Sequence, residues 1–254
     1  VFFNPGGEEP RGFTDLLRWQ FGGGKIDWPK AVAAADFVTT KPEPRIEGSR
    51  LVVTMVGHAT LLIQTAGLNI LTDPVWSERA SPVSFAGPKR NNPPGVAFDD
   101  MPKIDIVIVT HNHYDHLDIQ TLRQLGTETP LITPQGHAHW LTKKGFRNVT
   151  EIPWHGVHAI SDEVTITATP AQHFTARSLW DRDLGHWCGW LIQDANSKLW
   201  HAGDTGYCPA FHEIGERHGP IDFGMIPIGA YQPRHIMRSM HLNPEEAAQV
   251  FLET

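Results

Sequence analysis

The residues that most constrain the fold of this chain stand directly after an aliphatic run, Ile104–Val109. The run is short and rich in β-branched residues, which predicts a buried β-strand. Four side chains of the metal-ligand type follow within six positions: His111, His113, Asp115 and His116. An extended backbone puts the first two on the same side, and a turn lets the other two face them. The sequence therefore predicts a strand end that opens onto a metal site, rather than an ordinary polar loop.

Two later residues occupy similar places at the ends of predicted strands. His173 follows the predicted strand Glu163–Thr169, and Asp204 follows Lys198–His201. Functional groups often collect in such loops, because the strands hold them rigidly. A carboxylate at Asp204 offers two oxygens and could bridge two cations. Nitrogen and oxygen ligands without a thiolate suit zinc, and they also allow iron or manganese.

The organisation of the chain changes at about residue 50. Residues 1–49 are rich in glycine and proline and predict an extended arm lying over a core, whereas residues 50–254 predict one layered α/β or α+β domain. The other predicted strands are Leu51–Val56, Thr60–Thr65, Leu68–Thr72, Leu131–Thr133, Gly189–Gln193 and Phe223–Ile228. The predicted helices cover Asp118–Leu125 and His137–Lys144, and a third begins at the Asn243 cap.

Composition excludes several classes of protein. The chain has 254 residues, a net charge of −7 and 15 histidines. Its acidic balance argues against a broad grip on nucleic acid, and no apolar run is long enough to span a bilayer. The chain starts at Val1 and stops at Thr254 inside a predicted helix, so we expect it to be incomplete at both ends. We expect a cytoplasmic or membrane-associated protein.

Several segments of the chain are distinctive. They are Gly57-His58-Ala59-Thr60, Thr72-Asp73-Pro74-Val75, Ala80-Ser81-Pro82, Gly87-Pro88-Lys89-Arg90, His111 to Asp118, Ala202-Gly203-Asp204-Thr205-Gly206-Tyr207, Ile226-Pro227-Ile228-Gly229-Ala230-Tyr231, and His241 with Pro244-Glu245-Glu246-Ala247. Together they resemble one known family, the N-acylphosphatidylethanolamine-hydrolysing phospholipase D family of metallo-β-lactamase-fold hydrolases. The resemblance covers residues 50–254 and is less diagnostic in the arm.

The resemblance implies a four-layer αββα sandwich with two zinc ions at one edge of the sheets. It implies that one zinc is held by His111, His113 and His173, that the other is held by Asp115 and His116, and that Asp204 bridges them. Tyr114 and His241 match positions that contact the lipid substrate in that family. The family's last histidine ligand to the second metal lies beyond the helix that starts at Asn243, so we expect the natural protein to continue past Thr254.

Together with the ligand residues, the resemblance implies a dinuclear zinc hydrolase that cleaves a phosphodiester in N-acylphosphatidylethanolamine or a related phospholipid. Asp115 and Asp204 would orient the attacking water. Two alternatives remain open at this point: a lactonase or ester hydrolase of the same fold, and a metal-binding protein without turnover. A nucleic-acid substrate is not expected. Peripheral contact with a membrane could come from the apolar residues of Phe13 to Phe21, although packing onto the core explains them equally well.

Other prominent residues have plainer interpretations. We expect His58 to lie near the site without being a ligand, and His137, His139, His155 and His158 to be solvated or capping residues. Lys89 and Arg90 could attract a phosphate but are more often simply solvated in a loop. Trp180, Trp187 and Trp190 could line an acyl groove or pack in the core.

Overall fold

A six-stranded sheet forms the first half of the domain in the computed structural model, which describes residues 1–10, 12–22 and 39–254. Its strands lie side by side in chain order. They are β1 (Val52–Gly57), β2 (Thr60–Thr65), β3 (Leu68–Thr72), β4 (Ile106–Ile108), β5 (Leu131–Pro134) and β6 (Val149–Ile152). The strands from β1 to β3 pair antiparallel and those from β3 to β6 pair parallel. Ala66 and Gly67 form the hairpin turn between β2 and β3, and both have the positive φ that such a turn requires.

A second sheet of five strands packs against the first. Its order is β11-β10-β9-β8-β7, with only the β10–β11 pair parallel. Its strands are β7 (Val157–Ala159), β8 (Thr165–Thr169), β9 (Gly189–Gln193), β10 (Lys198–His201) and β11 (Phe223–Met225). The prediction that the last strand extends to Ile228 is wrong, because Pro227 cannot donate a ladder hydrogen bond. β6 and β7 were not predicted, since both are short edge strands with partly exposed side chains.

Apolar side chains fill three interfaces, which gives four layers. Between the sheets, isoleucines such as Ile70 and Ile108 meet Ile166 and Trp190, all fully buried. On the outer face of the first sheet lie α2 (Ile119–Leu125) and α3 (Ala138–Lys143). On the outer face of the second lie α4 (Ala210–His218) and α6 (Pro244–Glu253). The predicted αββα sandwich is therefore confirmed.

The helix ends follow local sequence rules where these are strong. The Asp118 side chain caps α2 by accepting from the Gln120 N–H, and Asn243 with Glu246 forms a reciprocal capping box on α6. Helix α4 was not predicted, because Gly215 interrupts its pattern. A Cβ at Gly215 would come within 1.8 Å of the Glu253 carbonyl oxygen. Glycine is needed there for α4 to approach α6 closely.

The arm is described in part. Residues 12–22 contain α1 (Phe13–Phe21), and the part of the predicted arm over residues 23–38 lies outside the described residues, as do the side chains of Phe13, Leu16 and Leu17. A short helix, α5 (Arg234–Met237), precedes α6. No helix among the described residues combines the length and apolar character needed to cross a bilayer.

Candidate metal centre

Asp73 holds the loop that follows β4. It lies directly after β3, is fully buried, and accepts hydrogen bonds from both the N–H and the hydroxyl of Thr110 at 2.7 Å. Its other contact is with Nδ1 of His116, also at 2.7 Å. A neighbouring carboxylate keeps the proton on that nitrogen and leaves Nε2 facing the cavity. Asp73 belongs to the Thr72-Asp73-Pro74-Val75 segment, but its contacts with Thr110 and His116 could not be predicted from the sequence.

A first group of imidazoles forms where β4 and β8 end. The available nitrogens of His111, His113 and His173 all lie within 4.8 Å of one another. His111 Nε2 is 2.8 Å from His113 Nδ1, which is 3.3 Å from His173 Nε2. Burial lowers the pKa of His113 to about 4 and the pKa values of the other two well below 6.5. Three neutral imidazoles with convergent nitrogens are the form that binds a metal ion.

A second group of predicted ligand residues consists of Asp115 and His116, and Asp204 lies beside it. His116 Nε2 is fully buried and has no hydrogen-bond partner among the described residues, although Asp204 Oδ2 lies 3.3 Å away and Asp115 Oδ2 lies 3.9 Å away. Burial alone would lower the pKa of His116, but the carboxylates of Asp204, Asp115 and Asp73 raise it well above 6.5. The buried nitrogen without a partner fits a metal ligand, because leaving it unpaired costs free energy.

Asp204 lies between the two groups. Besides His116, its Oδ2 approaches His241 Nδ1 to 3.8 Å and His173 Nε2 to 4.0 Å. Burial opposes ionisation of Asp204, but the field of His116 and its other histidine neighbours holds its pKa well below the usual range. The carboxylate is therefore ionised at neutral pH. The structure thus brings all six predicted ligand residues into one cluster of nitrogen and carboxylate donors.

The two residues expected to contact substrate lie at the rim of this cluster. The hydroxyl of Tyr114 donates to the Arg177 carbonyl oxygen at 3.0 Å. His241 is mostly buried, and its ring centroid is 5.4 Å from that of His173. The ligand groups found among the described residues do not include His241.

Arg177 is a residue that the sequence analysis missed. Its Nη1 donates to the carbonyl oxygens of Asn112 and Leu117, at 2.7 and 2.8 Å. Its guanidinium also stacks 3.9 Å from the ring centroid of Tyr114. Arg177 therefore holds both ends of the loop that carries His113, Asp115 and His116. No sequence signal marks it, because its partners are backbone carbonyls that any residue could supply.

His58 is in direct contact with Asp115, one of the predicted ligand residues. Its Nε2 is 3.1 Å from Asp115 Oδ2, and it forms a third possible ligand group with Asp115 and His116. His58 has a φ of 55° in the turn between β1 and β2, a conformation that non-glycine residues seldom adopt. The turn thus aims the ring at the carboxylate.

Several of the plainer expectations need correction. His137 is neither solvated nor a side-chain cap: it is buried, and its Nε2 lies 2.8 Å from the His186 carbonyl oxygen. Trp187 and Trp190 are fully buried in the core, so neither lines a groove, whereas Trp180 is 88% exposed. Lys89 pairs with Glu78 at 2.6 Å rather than standing free.

The two packed sheets and the histidine–aspartate cluster at their edge define a class, that of metal-dependent hydrolases with the metallo-β-lactamase fold. The profile of the β-lactamase superfamily domain matches residues 68–254, and the chain belongs to that superfamily.

Relatives narrow the comparison. The chain is 41% identical over 214 residues to N-acyl-phosphatidylethanolamine-hydrolyzing phospholipase D 1 of Caenorhabditis elegans, covering 80% of this chain and 60% of that protein. It is 37% identical to the mitochondrial N-acyl-phosphatidylethanolamine-hydrolyzing phospholipase D of Saccharomyces cerevisiae, over 80% of this chain and 46% of that one. The chain spans about half the length of these curated relatives.

Among solved structures, the chain resembles Igni18, a metallo hydrolase from the archaeon Ignicoccus hospitalis, with a TM-score of 0.59 and 24% identity. The match covers 79% of this chain and 76% of that one. At this identity the likeness supports the fold.

Proposed function

We propose that this chain is a dinuclear metal hydrolase that cleaves the phosphodiester of N-acylphosphatidylethanolamine or a related phospholipid. The observation that carries the proposal is the position of Asp204 between two groups of ligand atoms, one of three imidazoles and one with His116 and Asp115. The identity over 214 residues with relatives named for this activity supports the choice of substrate.

The donor set fits two zinc ions. His111, His113 and His173 would hold the first, Asp115 and His116 the second, and Asp204 would bridge. Iron and manganese accept the same donors. When bound, such a pair supplies Lewis acidity and lowers the pKa of a water to about 7.

The residues around the cluster have complementary tasks. Asp115 and Asp204 accept hydrogen bonds from the attacking water and so orient it toward phosphorus. The water oxygen forms the new bond to phosphorus, while the bond from phosphorus to the N-acylethanolamine oxygen breaks and that oxygen takes up a proton. His241 and Tyr114, at the rim, can hydrogen-bond the phosphate or the leaving group.

Two loops beside the site could meet a lipid surface. A cleft of about 330 Å³ is lined by Tyr114, Arg177 and the segment Ser81–Ser84. Three nearby residues of these loops are apolar and exposed: Phe85 at 82%, Leu179 at 84% and Trp180 at 88%. Exposed apolar side chains beside a cleft fit a protein that takes a substrate from a membrane surface. Peripheral contact with a membrane is therefore part of the proposal.

The test is product analysis with the full-length, zinc-loaded protein in water enriched in oxygen-18. The substrates are N-acylphosphatidylethanolamine, phosphatidylcholine, an acyl-homoserine lactone and a carboxylic ester. We expect N-acylethanolamine and a phosphatidate that carries one labelled oxygen. Cleavage of the lactone or ester alone would favour the ester-hydrolase alternative. Bound zinc without turnover of any substrate would favour a metal-binding protein.

A further inference from the structure

The amide side chain of Asn4, in the arm, pairs with the backbone of His173, 169 residues further along the chain. Asn4 Nδ2 donates to the His173 carbonyl oxygen at 2.9 Å, and the His173 N–H donates to Asn4 Oδ1 at 3.1 Å. Asn4 is only 6% exposed. The amide therefore satisfies both backbone polar groups of His173, as a neighbouring strand would.

Neighbouring contacts hold the arm in this place. The Phe2 N–H donates to the Asp183 carbonyl oxygen at 2.8 Å, and the Phe2 ring stacks on His186 with centroids 4.3 Å apart. The Glu8 N–H donates to Gln172 Oε1 at 2.8 Å. Asn4 thus lies in a segment that is fixed on both sides, so its amide is held in a defined position beside His173.

The ring of His173 is fixed independently. Its Nδ1 is 3.0 Å from the Met240 carbonyl oxygen. Because a carbonyl can only accept, Nδ1 carries the hydrogen and Nε2 is left free. That Nε2 is the atom near His113 and Asp204. Its position then depends on where the backbone of residue 173 lies, and this residue is past the end of β8 at Thr169.

We infer that Asn4 is a positioning residue of the metal centre, acting through the two hydrogen bonds that place the His173 backbone. The inference rests on the proposal that His173 binds metal. Metal sites tolerate ligand displacements of only about 0.2 Å, and loss of outer partners typically weakens metal binding by about 10–100-fold. The arm would then be part of the site's framework rather than a cover laid over the domain.

The chain offers a matched control for arm attachment. Glu8 forms a 2.6 Å ion pair with Arg238 through exposed side chains, and its carboxylate does not touch His173. Glu8→Gln therefore loosens the arm without removing a contact to the metal ligand. Asn4→Asp keeps the size of the side chain and an acceptor for the His173 N–H, but it removes the donor to the carbonyl oxygen. Asn4→Ala removes both.

The experiment compares these variants with His173→Ala in the full-length protein. Zinc affinity is measured by competition with a chromophoric chelator, and site geometry by the visible spectrum of the cobalt-substituted protein. We expect Asn4→Ala and Asn4→Asp to weaken zinc binding by about 10-fold or more and to change the cobalt spectrum. Glu8→Gln should behave as the wild type in both measurements. Circular dichroism establishes that each variant is folded, and Asn4→Asp provides the comparison if Asn4→Ala does not fold.

Three outcomes separate the inference from the proposal beneath it. Wild-type zinc affinity and cobalt spectrum in both Asn4 variants, with zinc lost in His173→Ala, would overturn the role of Asn4 and leave the metal centre intact. An equal loss of affinity in Glu8→Gln would also overturn it, since general attachment of the arm would then be the cause. Unchanged zinc binding in His173→Ala would overturn the metal assignment itself.

Discussion

Replacing Asp204 with asparagine removes one negative charge from the centre of the cluster and preserves the shape of the side chain. Oδ2 of Asp204 lies 3.3 Å from His116 Nε2, 3.8 Å from His241 Nδ1 and 4.0 Å from His173 Nε2. Asp204 also forms a possible ligand group with His111 and His116, one histidine from each of the two predicted sets. The variant therefore removes the charge that would offset the repulsion between two cations.

We expect Asp204→Asn to lose one of two metals and at least about a hundredfold in turnover, the range reported for removing one preorganised electrostatic group. A hundredfold corresponds to about 2.7 kcal/mol in the activation barrier. Part of the loss should appear as metal binding, because an amide oxygen is a weaker ligand than a carboxylate. The retained metal should be the one held by the three imidazoles, whose donors are unchanged.

The assay pairs elemental analysis of dialysed protein with initial rates on N-acylphosphatidylethanolamine. Asp162→Asn serves as the control, since it removes the same charge from an exposed position. Two metals per chain and a wild-type rate in Asp204→Asn would refute the bridging role. Two metals with a hundredfold lower rate would refute the argument from charge repulsion and leave a role in orienting water.

Three further predictions concern the contacts of Arg177, the exposed apolar residues Leu179 and Trp180, and the pH dependence of stability. In Arg177→Lys, the new side chain lacks the flat guanidinium that bonds the carbonyl oxygens of Asn112 and Leu117, so zinc affinity should fall by about 10-fold or more. Wild-type affinity in a chelator competition would contradict this role of Arg177. Leu179→Ser with Trp180→Ser should reduce sedimentation with phospholipid vesicles and leave hydrolysis of a short-chain, monomeric substrate unchanged; equal vesicle binding would argue against this surface. In the metal-free protein, the free energy of unfolding should decrease from pH 7 to about pH 5. Burial lowers the pKa values of the three histidines in the first ligand group, that of His113 to about 4. The unfolded chain therefore takes up protons in this range that the folded chain does not. His116 has a raised pKa, so it opposes part of this decrease near pH 6.5 and adds no slope about one unit lower, where both states are protonated. Urea midpoints that are equal at the two pH values would contradict this account.

The sequence predicted the elements whose pattern is local. Strands such as β3 and β9 consist of buried residues bounded by turns, and α6 carries a complete cap, so each is encoded within a few neighbouring residues. The cluster could also be predicted, because metal ligands must be particular residue types and they stand directly after strands. His173 and Asp204 are separated by 31 positions, yet they follow β8 and β10, which lie on either side of β9 in the second sheet.

The supporting residues could not be predicted in this way. Asn4 and Arg177 act on backbone carbonyl and amide groups, which are the same at every position and leave no signature. His137 stands at the first end of a predicted helix, which suggests a cap, but tertiary packing buries it against His186. Helix α4 was obscured by Gly215, a residue selected by the closeness of another helix rather than by its own. In each case the deciding partner is distant in the sequence.

The residues of the proposed metal site come from both sheets: the loop after β4 belongs to the first, while His173 and Asp204 follow β8 and β10 of the second. Neither sheet alone can assemble the site, so an ion bound there joins the two halves of the sandwich. By mass action, such an ion stabilises only molecules in which both halves have docked. Metal content measured on a purified sample would then report the fraction of chains that completed folding, and a chelator should weaken the junction between the sheets before it disturbs either sheet.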